Sequence, residues 1–282
     1  MKIERVCSGV VKCSSEHEGK NILVLGGVHG DELCGVFAIR RLLQEFNEEI
    51  LSLKNGSVTF AYGNLDAIVA KRRFIDVDLN RTFSEKAILD DTLEAGRAFD
   101  LMPFFHKMDV VLDIHATAVV SEDFIIAQGS CVELARALSP TYVVSGWNKF
   151  SSVSGDAAGY ANRVGAIGLT YEAGQINTQG SKRRAYDMIL KLLHVTDMLD
   201  AKVTFVPFVD CFELQHVIYK SSDELRWKFP ISNFDEFAKY DLLLKSADLQ
   251  IRAPYDCFLV LPNLVQDVGF GNELGFLACK NN

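Results

Sequence analysis

His29 and Glu32 stand three apart in VLGGVHGDELCGVFAIRRL, residues 24–42, where an apolar strand-like run gives way to an amphipathic helical one. That spacing brings both side chains onto one face if the first helical turn is already wound. The positive end of the helix also favours Glu32 as a carboxylate, the form a metal needs. His115, in VVLDIHA at 110–116, supplies a second imidazole from a separate strand. Two imidazoles and one carboxylate are the donor set of catalytic zinc sites, which leave a fourth position for water, whereas magnesium or calcium would want mostly oxygen ligands. One zinc ion per chain is the expectation. Asp113 lies two residues before His115 and shares its strand face, so it is a candidate to orient that imidazole.

Glu172, in LTYEAGQ at 169–175, is the carboxylate left over. A zinc-water site lacks only a general base to become a hydrolase, and a carboxylate can take the water's proton and return it to a leaving amine. His29, His115 and Glu172 each fall at the carboxyl end of an apolar strand run, where open α/β sheets bind their ligands, so convergence on one site is expected. Between these strands, KRRFIDVDLNRTF at 71–83 carries Arg72, Arg73, Asn80 and Arg81. Guanidinium forks bind carboxylates bidentately, and the loop reads as a clamp for an anionic substrate and for the scissile carbonyl oxygen. Asp76 and Asp78 then either hold the arginines or simply make the turn.

Plainer readings compete at several positions. The glycines of GGVHG suggest a phosphate loop, but their order is not G-x-G-x-x-G and no G-K-[ST] follows. A lone H-x-x-E is more often a helix cap beside a surface histidine than a metal site, and here its weight comes from the other motifs. Cys34 reads as a small buried helix residue rather than a nucleophile. His17, His106, His194 and His216 have no partner at ligand spacing, and Arg163 reads equally as a site residue or an exposed helix end.

The elements that must position these residues are legible as an alternation. NILVLGG is followed by DELCGVFAIRRLLQEF, MDVVLDIHA by CVELARALS, and AIGLTYEAG by SKRRAYDMILKLLHVTDML. Strand runs alternating with helical patterns indicate an α/β fold with a buried sheet. From about residue 201 the runs KVTFVPFV, CFELQHVIYK, LQIRAP, CFLVLP and LGFLACK are short and punctuated by Pro, Asn, Asp and Gly. The expected division is a catalytic domain at 1–200 and a small all-β domain at 201–282.

With 282 residues, 49% apolar and 23% charged, the chain can bury a substantial core, and a net charge of −8 argues against nucleic acid or an anionic membrane as partner. No apolar run approaches the ~18 residues a membrane span needs, and the amino terminus lacks a signal-peptide core. Seven cysteines without a C-x-x-C pair fit reduced thiols, so a cytoplasmic setting is expected. Nothing here sets the oligomeric state, and a homo-oligomer stays open.

In order, GGVHGDE, RRFIDVDLNRTF, DIHAT and LTYEAGQ resemble the succinylglutamate desuccinylase and aspartoacylase family, zinc-dependent deacylases related to the zinc carboxypeptidases. The carboxy-terminal IRAPYDCFLVLPN and GNELGFLA resemble that family's β-rich domain, which narrows the cleft. The resemblance implies a carboxypeptidase-like mixed sheet with helices on both faces. It also implies zinc on His29, Glu32 and His115, Glu172 as base, Asn80 and Arg81 on the substrate carboxylate, and Arg73 on the scissile carbonyl. The expected activity is hydrolysis of the amide bond in a small N-acyl amino acid. After His115 the chain reads HATAVVSED, which matches neither the aspartoacylase nor the desuccinylase run and leaves the acyl group and amino acid open. A carboxypeptidase-like peptidase or a non-catalytic zinc-binding module would use the same ligands; the presence of a base beside all three favours the enzyme.

Overall fold

The computed structural model describes residues 1–150, 155–200 and 202–281. In chain order its strands are β1 Lys2–Cys7, β2 Val10–Ser14, β3 Asn21–Gly26, β4 Ser57–Tyr62, β5 Val110–Thr117, β6 Phe124–Ile126, β7 Tyr142–Ser145 and β8 Ile167–Gln175. They continue as β9 Asp210–Tyr219, β10 Arg226–Trp227, β11 Glu236–Phe237, β12 Leu242–Lys245, β13 Gln250–Arg252, β14 Cys257–Val260 and β15 Glu273–Asn281. The α-helices are α1 Cys34–Asn47, α2 Leu65–Ala70, α3 Leu93–Leu101, α4 Cys131–Ala137, α5 Ala157–Arg163 and α6 Gln179–Val195. Among the described residues no helix is long and apolar enough to cross a membrane.

Twelve strands form one mixed sheet in the order β1-β2-β4-β3-β5-β8-β6-β7-β9-β15-β14-β11. β4, β3, β5 and β8 run parallel at its centre. Strands buried on both faces must be apolar throughout, and alternate residues serve opposite cores. Ile22 and Val24 of β3 join Val110, Leu112 and Ile114 of β5 and Leu169 and Tyr171 of β8 under α1, α4 and α6. Leu23 and Leu25 join Val111 under α3 and α5. Helices therefore cover both faces, as expected of this α/β class.

The α1 helix carries Cys34, Ala38, Leu42 and Phe46 at four-residue spacing, and this stripe is what it buries against the sheet. α6 starts at a cap in which the Thr178 hydroxyl accepts the Ser181 N–H at 3.0 Å, and its Ala185, Ile189, Leu192 and Leu193 bury alongside. The chain leaves β3 through α1 to β4 on one side, then returns through α3 to β5 on the other. Opposite crossovers of one hand put α1 and α3 on opposite faces, and they open a crevice between the carboxyl ends of β3 and β5.

The boundary expected at 200/201 falls beside Ala201, which lies outside the described residues. Every described helix or strand from Asp210 onward is a strand apart from one 3-10 turn at Val265–Asp267. The large sheet nevertheless runs on across this point, because β9 pairs in parallel with β7. β10, β12 and β13 form a separate small sheet over a core of Leu225, Leu243, Leu244 and Leu259. KVTFVPFV, read as a strand at 202–209, does not form one: Phe205, Val206 and Phe208 are exposed, and Pro207 brings no N–H to a ladder.

One glycine of the opening turn is set by contact. A Cβ on Gly30 would overlap the Ala67 backbone in α2. Gly30→Ala is expected to lower the free energy of unfolding by ~1–3 kcal/mol through overpacking. Urea denaturation measures this, and an unchanged midpoint would show that the turn can back away from α2.

Candidate metal centre

The chain leaves β3 at Gly26 and does not become helical until Cys34, so His29 and Glu32 precede the helix rather than occupying its first turn. They meet instead across a tight turn in which the Glu32 N–H bonds the His29 carbonyl at 3.2 Å. The outcome is the same juxtaposition, with His29 Nδ1 2.8 Å from Glu32 Oε1. The turn between them is held by Gly30, which packs on the Ala67 backbone of α2 and donates its N–H to the Arg73 carbonyl at 3.1 Å.

β5 and β8 pair in register, His115 beside Glu172. Since Ile114 and Tyr171 point into the α1–α6 core, their neighbours Asp113, His115, Thr170 and Glu172 share the other face. His115 Nδ1 lies 3.0 Å from Glu32 Oε2 and 3.1 Å from His29 Nδ1. His29, Glu32 and His115 are all buried, with donor atoms within 4.8 Å of one another, so the sequence-derived ligand set converges.

The far side of each imidazole fixes its tautomer. His115 Nε2 is 2.7 Å from Asp113 Oδ2, and His29 Nε2 is 3.0 Å from Asp78 Oδ1. A carboxylate can only accept, so each Nε2 carries a hydrogen, while each Nδ1 faces the Glu32 carboxylate, sharing a proton with it when the imidazole is charged and offering a lone pair when it is neutral. Three electron-pair donors meeting this closely repel unless positive charge lies among them. Burial and the Arg73 charge oppose protonation of His29, yet Glu32 and Asp78 outweigh them and its pKa is raised. Burial likewise opposes protonation of His115, and Asp113 and Glu32 raise its pKa well above the ordinary value. Burial works against the Glu32 carboxylate too, but the two imidazoles hold its pKa far down. The field of this cluster thus favours a cation, and its nitrogen and carboxylate donors, each imidazole backed by an acid, suit a divalent metal.

Glu172 is buried beside these groups, and its Oε2 has no hydrogen-bond partner among the described residues. Burial, reinforced by the Glu32 charge, pushes its pKa up to about 7 against the pull of His115 and His29. A carboxyl group brought near neutrality is suited to carry a proton in both directions.

The arginine loop reaches the cluster from the side. Arg73 sends Nη1 to Glu32 Oε1 at 3.3 Å and Nη2 to Asp78 Oδ2 at 3.2 Å. Asp78 also caps the 3-10 turn Leu79–Arg81, accepting the Asn80 N–H at 2.8 Å. It is thus more than a turn residue: it holds an arginine and a histidine together. Asp76 bonds no arginine among the described residues and instead accepts the Leu93 N–H at the start of α3, at 2.9 Å. Asn80 is buried with Oδ1 taking the Ala157 N–H at 2.9 Å, and Arg81 Nη1 donates to the Asn80 carbonyl at 2.8 Å. Arg72 is exposed, a solvated charge. Arg163 reaches the loop rather than the metal cluster, with Nη2 on the Phe83 carbonyl at 2.7 Å.

Glu94 and Asn64 had no signal at sequence level. Glu94 follows the helix-capping Thr92 by two residues and looks like an ordinary first-turn acid. It is fully buried, and its carboxylate accepts the N–H groups of Ile75, Asp76 and Val77 at 2.7, 3.1 and 3.2 Å and the Asn64 side-chain amide at 2.8 Å. These bonds pin the loop that presents Arg73 and Asp78.

Comparison with known proteins agrees with this geometry. The family model for the succinylglutamate desuccinylase/aspartoacylase catalytic domain matches residues 18–195, and the chain belongs to that family of deacylases. It is 35% identical over 120 residues to the N-acyl-aromatic-L-amino acid amidohydrolase (carboxylate-forming) of Rattus norvegicus, covering 39% of this chain and 37% of that one. It is 27% identical over 257 residues to the succinylglutamate desuccinylase of Pseudomonas putida, covering 81% of this chain and 74% of that one. The matched stretch spans about two fifths of several of the curated relatives. The crystal structure of the Vibrio cholerae succinylglutamate desuccinylase superposes with a TM-score of 0.79 at 20% identity, covering 96% of this chain and 85% of that one. The fold is therefore the carboxypeptidase-like one of these structures.

Burial raises the pKa of Glu94, but the bonds from Ile75, Asn64, Val77 and Asp76 outweigh it and leave it lowered. Its contribution to stability is therefore complete above the unfolded value of about 4.3 and is lost as the pH falls through the lower folded value. Glu94→Gln should lower stability at pH 7 by ~1–3 kcal/mol and flatten the dependence below about pH 4.3. Urea unfolding between pH 3 and 7 measures both, and parallel curves for the two proteins would contradict the role.

Proposed function

We propose that the protein is a zinc-dependent amidohydrolase that removes the acyl group from an N-acyl amino acid or a similar small carboxylate. The observation that carries this reading is the convergence of His29 Nδ1, His115 Nδ1 and the Glu32 carboxylate beside Glu172 on the paired strand. Zinc held by His29, Glu32 and His115 would supply a Lewis acid that polarises the scissile carbonyl and brings the pKa of a water to about 7. Glu172 takes the proton of the attacking water and delivers it to the leaving nitrogen, a task for which a near-neutral pKa is matched. Arg73, at the exposed edge of the cluster, faces the carbonyl oxygen and stabilises the charge that develops on it.

Asn80 and Arg81 hold the substrate's carboxylate. The Asn80 side-chain Oδ1 accepts the Ala157 N–H at the start of α5, so its NH2 group is the part left to donate, next to the Arg81 guanidinium. The substrate is thus anionic through that carboxylate, in keeping with a local cluster of arginines on an acidic protein. The names of relatives such as the N-acyl-aromatic-L-amino acid amidohydrolase and the succinylglutamate desuccinylase support the same class.

Protein purified without added metal is expected to contain about one zinc per chain, and Glu172→Gln should keep that zinc while losing ~10²–10⁴-fold in hydrolysis. Zinc content that stays at zero even after zinc is supplied would overturn the site, and full activity in the variant would remove Glu172 from the reaction. Arg81→Ala should raise KM for carboxylate substrates by ~10-fold or more with a smaller change in kcat. Steady-state kinetics read the split, and an unchanged KM would place the clamp elsewhere.

A further inference from the structure

Glu172 stands on a strand that is irregular at that point. β5 and β8 pair residue for residue from Val110 and Ile167 up to His115 and Glu172, but the next pair is Thr117 with Gln175, so β8 carries one extra residue directly after Glu172. Ala173 and Gly174 have no strand partner among the described residues, because β6 on the other side begins at Phe124, opposite Glu172. Gly174 adopts a φ of +94°, a left-handed conformation in which a side chain is strained. An extra residue of this kind bends its strand and re-aims the side chain beside it.

Arg184 holds this bulge. In the run Lys182, Arg183 and Arg184 of α6 the first two face outward: Lys182 Nζ lies 4.0 Å from the Phe37 ring centroid, and Arg183 is exposed beside Asp187. Arg184 is half-buried, and its Nε donates to the Ala173 carbonyl at 2.8 Å. Its guanidinium lies so close over Gly174 that a Cβ there would overlap Nη2 and crowd the Ser121 carbonyl. On the outer side its Nη1 is 3.8 Å from Glu122 Oε2. The residue before Glu172 is fixed as well, since the Tyr171 hydroxyl donates to the buried Asp123 at 3.0 Å. Ser121, Glu122 and Asp123 close HATAVVSED, the run that begins at His115. That run therefore meets the chain both before and after Glu172.

The Glu172 Oε2 is buried without a hydrogen-bond partner among the described residues, so no bond at that oxygen fixes its direction and the backbone must. A general base has to come within about 3 Å of the proton it takes, and a misplacement of ~1 Å can cost ~100-fold in rate. We propose that Arg184 is a positioning residue for Glu172: by tying α6 to the bulge at Ala173 and Gly174, it sets where the carboxylate stands relative to His29, Glu32 and His115. What the carboxylate does there rests on the amidohydrolase reading above, whereas where it stands rests on the bulge.

Arg184→Ala and Arg184→Lys are compared with the wild type in zinc content, in steady-state hydrolysis of N-acetyl-L-phenylalanine, N-acetyl-L-aspartate and N-succinyl-L-glutamate, and in crystal structures of the zinc-loaded proteins. For the compound that the wild type cleaves fastest, Arg184→Ala should lower kcat ~10- to 100-fold, leave KM within about 3-fold and keep the zinc. Arg184→Lys keeps a donor for the Ala173 carbonyl but not the planar fork over Gly174, and should recover part of the loss. In the crystals of Arg184→Ala the Glu172 carboxylate should be displaced by roughly 1 Å or more while His29, Glu32 and His115 superpose. Gly174→Ala disturbs the same bulge from the strand side, should show the same displacement and the same split, and decides the matter where Arg184→Ala does not fold. A carboxylate that stays in place, a kcat within about 3-fold of the wild type, or a loss that falls on KM instead would each overturn the proposal. Hydrolysis of none of the three compounds by the zinc-loaded wild type would sink the amidohydrolase reading, and the displacement of Glu172 would then decide the role of Arg184 by itself.

Discussion

A carboxylate taken out of water must be met by positive charge or by N–H donors, and Glu32 is where this requirement organises the molecule. Its two oxygens are shared among His29, His115, Arg73 and the backbone N–H of Ala116, the last at 2.9 Å. Those partners come from the turn after β3, from β5 and from the loop before the 3-10 turn, so one buried side chain draws three separated segments to a point. Removing a single partner from such a group leaves a charge stranded in a low dielectric, which costs more than the lost contact alone.

The cluster is kept in shape by acids that stand one step back from it. Asp78 and Asp113 fix the imidazoles, and Glu94 fixes the loop that carries Asp78. Together with Glu32 and Glu172 they put five carboxyl groups around two imidazoles and one guanidinium. Such an excess of acceptors is unfavourable by itself. It explains the raised pKa values of both histidines, and it is the electrostatic condition under which a divalent cation gains most by binding. Burial, reinforced by Glu32, acts on Glu172, which has no hydrogen-bond partner at Oε2 among the described residues and whose pKa is pushed up to about 7.

The arginine-loop side of the crevice is built differently. Hydrogen bonds from Ala157 to Asn80, from Phe83 to Gly155 and from Arg163 to Phe83 fasten the arginine loop to the beginning and end of α5. The arginine loop and the helix it is fastened to thus form one support. A shift of α5 against β8 would move both, and the close packing of Gly168 on Ala158 opposes such a shift.

The candidate cluster was legible because its chemistry is local: H-x-x-E after an apolar run, a histidine and a glutamate at the ends of two further runs, and an arginine-rich loop in an acidic chain. Period-two and period-four apolar spacing likewise carried the sheet and helices that place them. What the order of residues left open was every partnership between distant segments. Asp78 read equally as a turn residue or an arginine holder and proved also to orient His29; Asp76 read the same way and caps α3 instead; Glu94 read as nothing in particular. The strand expected at 202–209 has the composition of one, but no strand among the described residues pairs with it. Side-chain type and spacing determine what chemistry a residue can do, and these are properties of the chain. Which charge is desolvated, and by whom it is then satisfied, depends on what packs against it from elsewhere, and that was decided only when β3, β5, β8 and the arginine loop met.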